Sequence, residues 1–319
     1  MIRQRGMAMV LVLWVLSILI IMAGSFALSM RREAAIVSVI KNNAHVMAIA
    51  ESGLALAEMM LLNPDPNKVW RADGNIYEIV AADAKIRIRL LSETGKIDIN
   101  KADQTVLQSL MAFAPVDSDQ QSKLVNAILD WRDADDLVHI DGAEKEEYQE
   151  AGLSYHPSNK PFESTEELQL ILGMNKSVLA WLDPLVTVYS KQPRVNYQVA
   201  TKQILQTIPG LDEGIVDSYV AMRLDSAKNN LPVPPFPVTT GGVNTATGQD
   251  NILTLVSEAI INDGSKASLS VVIKKSDNNG TTPFQILKWQ HVTANNVSLF
   301  TAAMSELVVK QYAEPELNN

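Results

Sequence analysis

The sequence contains no cysteine, which removes disulfides, thiolate metal sites and Cys nucleophiles together and leaves either redox compartment open. Histidine is scarce. His45, His139, His156 and His291 stand apart, and no H-E-x-x-H, G-x-S-x-G or Walker-type glycine loop occurs. No catalytic set and no organic cofactor site is therefore expected, and the chain does not read as an enzyme. Positive charge is also in deficit: the net charge is -9 and the pI near 5.0, so the summed field repels phosphate backbones and nucleic acid is not an expected partner. Aromatic residues are few, and Trp131, Trp181 and Trp289 fall on helical or strand patterns, where core packing is their expected role.

What is abundant is apolar sequence near the N-terminus. Met7 to Met30 carries no charge at all, and as a helix it measures about 36 Å, enough to cross a hydrocarbon core of about 30 Å. A cleaved secretory signal has a shorter apolar core, of about 7 to 15 residues. Arg3 and Arg5 precede the run and Arg31 and Arg32 follow it, so counting basic residues leaves the orientation open.

Past the span, the sequence to Leu62 continues without proline and with apolar residues at helical spacing, among them Ile36, Val39, Ile40, Val46, Ile49, Leu54, Leu56, Met59 and Met60. Span and stem are expected to form one helix, ended by Asn63-Pro64-Asp65-Pro66. The period then changes to that of strands, over Tyr77 to Ala81 and Lys85 to Leu91, and strands return only at Ile252 to Ile261, Ala267 to Lys275 and Phe284 to Gln290. The last two of these are separated by an expected turn at Asp277-Asn278-Asn279-Gly280. Between the two sets, Asp103 to Ala114, Gln120 to Arg132, Ser164 to Leu172, Lys176 to Leu182, Thr201 to Ile208 and Glu213 to Leu224 show helical apolar spacing. The expected fold is α+β: a long N-terminal helix (7–62, with 7–30 transmembrane) on a small antiparallel sheet (63–96 and 251–319), an all-α domain inserted at 97–230, and a Pro-rich return linker at 231–250.

The inserted region partly repeats. Ile97-Asp98-Ile99-Asn100-Lys101-Ala102-Asp103 parallels Val195-Asn196-Tyr197-Gln198-Val199-Ala200-Thr201, each before a helix. The second copy resembles a helix-hairpin-helix element, but its turn, Pro209 to Gly214, carries Asp212 and Glu213 and would meet a phosphate with negative charge. Packing is the better reading of these pairs. The densest charged feature is Asp130 to Asp136, followed by Asp141, Glu144 and Glu147. Most charge runs are solvated faces, yet three Asp within four residues repel one another unless a hard cation shares their oxygens, as Ca²⁺ does with six to eight ligands. Asp133, Asp135, Asp136, Asp141, Glu144 and Glu147 form a candidate Ca²⁺ site without EF-hand spacing.

With a short basic leader ending in Gly6, a long helix, an interrupted sheet, the AILDWRDADD segment and a late VVIKK to FQILKW hairpin, the chain resembles the type II secretion minor pseudopilins of the general secretion pathway protein K family. The resemblance implies a pilin-like fold, and a 1–6 leader removed by prepilin peptidase between Gly6 and Met7 with methylation of Met7. It further implies an inner-membrane anchor with the body in the periplasm, and assembly through the N-terminal helix with I- and J-type minor pseudopilins. It also implies Ca²⁺ in the α domain. Major pilins place Glu at the fifth mature position; here it is Leu11, which fits a tip subunit with no earlier neighbour. The alternative is a membrane-anchored DNA receptor of a competence or type IV pilus system, with a signal-anchored periplasmic domain as a third reading.

Overall fold

The computed structural model describes residues 7–237, 251–276, 282–292 and 298–310. The leader, the turn expected at Asp277 to Gly280 and most of the return linker therefore lie outside the described residues.

Helix α1 runs unbroken from Met7 to Leu61. Its C-terminal part lies across a six-stranded sheet of order β7-β6-β5-β2-β1-β8, made of β1 (Asp73–Val80), β2 (Ala84–Ser92), β5 (Ile252–Ile261), β6 (Lys266–Lys275), β7 (Phe284–Val292) and β8 (Val308–Lys310). All neighbours are antiparallel except β1 and β8. One strand face feeds the core under α1: Ile86, Ile88 and Leu90 of β2, Leu253, Leu255 and Ala259 of β5, and Leu269, Val271 and Ile273 of β6, the period of two that alternation requires. α1 answers with Val46, Ala50, Leu54, Ala57 and Leu61, spaced three or four apart so that they share one helical face. Gly53 sits where a side chain would collide with Ser257 Oγ on β5, so its missing Cβ sets how closely helix and sheet approach.

The sheet's direction is fixed by two contacts. Asn42 donates to Asp263 in the β5–β6 turn at 2.6 Å, and His45 lies 3.6 Å from Asp83 in the β1–β2 turn. These turns face the apolar end of α1. The helical unit leaves from the other ends of β2 and β5, and so stands at the far end of the sheet.

That unit contains β3 (Ile97–Asp98) paired with β4 (Val186–Thr187), α2 (Gln104–Met111), α3 (Ser118–Arg132), α4 (Lys145–Glu150), α5 (Lys176–Leu182), α6 (Lys202–Gln206) and α7 (Glu213–Lys228) around its own core. The sequence repeat is a structural repeat. Ala102 N donates to Asp98 O at 2.8 Å and Ala200 N to Asn196 O at 3.0 Å. Arg132 at the end of α3 clasps Ala102 O at 2.6 Å, and Arg223 on α7 clasps Ala200 O at 2.7 Å.

Four expectations change. Ser164 to Leu172 is not α-helical; Thr165–Leu170 is a 3-10 segment closed by a Ser164–Glu167 capping box. The acidic stretch after Asp141 contains the short helix α4, held by buried Tyr148. β8 was not expected, because three residues carry too little alternation to read. Trp289 is not core: β7 is an edge strand and the indole is 39% exposed.

Unit and sheet are locked together by buried polar groups. Glu93 accepts from Thr187 of β4, from Thr254 of β5 and from Lys96. Arg223 also donates to Asp73 O at 3.1 Å, and Lys288 and Gln290 of β7 both bond Glu166.

Candidate functional site

Two regions carry chemistry beyond packing. The first is the acidic loop after α3. Asp130, in the last turn of that helix, is fully buried. Its Oδ1 accepts from the backbone and ring of His139, and its Oδ2 from Ala143 N at 2.7 Å. Gly142 must be glycine here, because a Cβ would overlap Asp130 Oδ2. Asn126 Nδ2 donates to Ile140 O at 2.7 Å and ties the loop back along α3. Asp130 is thus consumed in shaping the loop.

Two carboxylates are left short of partners. Asp133 Oδ1 and Glu144 Oε1 are buried and accept no hydrogen bond among the described residues. Glu144 is 5% exposed, and its carboxyl is pushed up to about 7 by burial and then by the charges of Asp130, Asp133, Asp136 and Asp135. Asp133 is raised as well, by burial and by Asp135 and Asp130. A buried charge without a counter-charge is costly; oxygen donors with no proton donor opposite them are what a hard divalent cation requires.

The six residues expected at this site divide. Asp133 offers an oxygen within 4.8 Å of ligand atoms of Asp130 and His139, close enough to share an ion, while Glu144 lies in the repulsive field of Asp130 and Asp133. Asp135 and Asp136 belong to the same field, but each accepts locally, from Leu137 N at 3.0 Å and Asn159 Nδ2 at 2.8 Å. Glu147 turns back to Glu144 N at 2.8 Å as half of a capping box. Asp141, at φ 60, is exposed and faces Lys123. Asp130 and His139 were missed in the sequence, since a buried Asp in an otherwise regular helix and an isolated His give no pattern. The only legible sign was Gly142 following the acidic run.

The second region is α1. Among the described residues it is long and apolar enough to cross a membrane, and that part of it is wholly uncovered. Below it Ile36, Val37, Val39 and Ile40 are exposed. Further along the stem, Val46 and Leu54 close the chain's own core, because the sheet reaches that far up the helix.

Comparison with known proteins agrees with this architecture. Residues 75–191 match the family described as Type II secretion system (T2SS), protein K. Type II secretion system protein K of Aeromonas hydrophila is 26% identical over 209 residues, 58% of this chain and 63% of that protein. The Klebsiella pneumoniae protein of that name is 24% identical over 203 residues, with 58% and 62% covered. Over these stretches the chain is similar to type II secretion system protein K. It spans about 63% of the length of the Aeromonas relative. In fold it resembles a chain of the crystal structure of the GspK-GspI-GspJ complex from enterotoxigenic Escherichia coli, with a TM-score of 0.50 and 15% identity over 83% of this chain and 99% of that one.

Of the residues that the family resemblance singles out, Gly6 lies outside the described residues, Met7 opens α1, and Leu11 is 66% exposed on it. The helix-hairpin-helix turns are sealed by carboxylates: Asp117 accepts from Gln120 N at 2.9 Å and Asp212 from Gly214 N at 2.8 Å. Amides that would meet a phosphate are therefore held beside negative charge.

Proposed function

We propose that this chain is a minor pseudopilin of a type II secretion system, anchored once in the inner membrane with its body in the periplasm. It forms the pseudopilus tip with I- and J-type minor pseudopilins and helps to start pseudopilus assembly for protein export. The observation that carries this reading is the placement of parts along α1: an uncovered apolar run, an exposed apolar stripe at Ile36 to Ile40, then the sheet, then a bulky helical unit at the end farthest from the membrane. A stripe of that kind serves helix-against-helix packing, and a unit so placed obstructs any subunit stacked beyond it. Leu11 supports the tip position, because a carboxylate at that depth is costly without a neighbour to pair with. The solved relative is described as a complex of GspK with GspI and GspJ, which supports the choice of partners. The role is structural rather than catalytic. Prepilin peptidase removes residues 1–6 and leaves a methylated Met7.

Intact mass of the mature protein tests the processing: a chain beginning at methylated Met7 is expected, and one retaining residues 1–6 contradicts it. Ile36→Asp and Ile40→Asp are expected to abolish co-purification with the two partner pseudopilins, and unchanged co-purification contradicts the stripe's role.

The orphaned oxygens of Asp133 and Glu144 fit Ca²⁺. Both would contribute oxygens toward the ion, Asp133 beside Asp130 and His139, with Asp135 and Asp136 adding field, and the ion would supply the positive charge that the loop lacks.

A further inference from the structure

α1 does not cover the whole of its sheet face. It lies against β2, β5 and β6. On β7 the side chains Ile286, Trp289 and His291 pair across from Ile273, Val271 and Leu269, which belong to the core under α1, so all six share that face. Yet Ile286 and Trp289 stand exposed. β7 is two strands from β5, about 10 Å at the usual strand spacing. Packed helices lie roughly 8–10 Å apart. The uncovered strip is one helix wide.

The flank of α1 that borders this strip is also open. At about 3.6 residues per turn, Ile49, Leu56 and Met60 lie on one flank, with His45 beside the β1–β2 turn, and they are partly buried in the core. Ile36, Ile40 and Glu51 lie exposed on the opposite flank, toward β7, with Met47 half-buried among them, and among the described residues none of the four belongs to the core cluster. The groove therefore starts directly below the apolar run of α1 and is collinear with it. An occupant that enters at this end comes out of the same membrane, which selects another membrane-anchored helix over a strand or a soluble domain. Glu51 on the flank favours a basic side chain opposite.

We propose that this groove receives the N-terminal helix of a second single-span pseudopilin, laid parallel to α1, with Trp289 as its anchor on the sheet. The inference rests on the assembly role above and adds which face of the chain is used. Because the chain has no cysteine, a single thiol reports on the groove. Full-length Trp289→Cys and Met47→Cys chains would be co-purified in detergent with the two partner pseudopilins, with Lys228→Cys on exposed α7 as control. The expected result is maleimide labelling slowed about tenfold or more by complex formation at positions 289 and 47 but not at 228, with bismaleimide cross-links mapping to a partner's N-terminal helix. Trp289→Ala is expected to weaken the complex by about tenfold or more, as truncating a central aromatic anchor does. A complex that forms while positions 289 and 47 label as fast as in the free chain, or cross-link to a partner's globular part, overturns the groove and leaves the assembly role standing. Failure of the unaltered chain to join either partner overturns the assembly role itself.

Discussion

Replacing Glu144 by Gln separates a metal site from an ordinary buried carboxylate. The side chain is buried, one oxygen is spoken for by the capping box with Glu147, and Oε1 has no hydrogen-bond partner among the described residues. Gln keeps the shape and the acceptor for the cap, and its amide can donate toward the surrounding Asp133, Asp135 and Asp136. Without metal, the wild-type carboxylate carries an unsatisfied, like-charged oxygen, a burden of about 1–3 kcal/mol; Glu144→Gln relieves it. For a body of this size about 1 kcal/mol corresponds to roughly 2–4 °C in melting temperature, so in chelator the variant is expected to melt about 2–12 °C above wild type. With Ca²⁺ at about a hundred times its dissociation constant the wild type gains about 2.7 kcal/mol, whereas the variant, having lost a ligand, gains little. The gap between the two melting temperatures then closes, and it reverses wherever the relieved burden is below about 2.7 kcal/mol. Scanning calorimetry with and without Ca²⁺ reads this directly. A variant that melts lower than wild type in chelator, or wild type indifferent to Ca²⁺, refutes the reasoning.

Gly53→Ala would ordinarily favour a helix, but here the added methyl meets Ser257 and is expected to cost about 1–3 kcal/mol by overpacking, seen as a lower denaturant midpoint. Glu93→Ala leaves Lys96 buried and unpaired at the junction of the two units and is expected to cost about 3–5 kcal/mol, with faster proteolysis of the segment from Glu93 to Ile97. Glu166 is held below the ordinary carboxylate range: burial pulls it upward, but the bonds from Lys288 and Gln290 outweigh that. A lowered carboxylate stabilises the fold above its unfolded pKa, and that contribution is lost as pH falls through the folded pKa. Protection factors near Glu166, with the intrinsic slowing of amide exchange in acid divided out, are therefore expected to fall on acidification through and below the carboxylate range in wild type. In Glu166→Gln this step is expected to be absent.

The sequence by itself determined the elements with strong periods. The long helix, its membrane run, the strands beginning near Tyr77, Lys85, Ile252, Ala267 and Phe284, and the repeated hairpins all announce themselves through apolar spacing, because burial of one face imposes that spacing locally. It also located the acidic loop. Only the tertiary structure decided which carboxylates matter there. Asp130 shapes the loop, and Asp133 and Glu144 each keep one buried oxygen without a hydrogen-bond partner among the described residues, because hydrogen-bond satisfaction depends on what the fold brings alongside. The same holds for α1. Its apolar residues are all alike in the sequence, and it is the reach of the sheet that assigns Val46 and Leu54 to the chain's own core and leaves Ile36 and Ile40 outside it. Trp289 was unreadable for the same reason, since a strand's pattern says nothing about whether it lies at the centre of a sheet or at its edge.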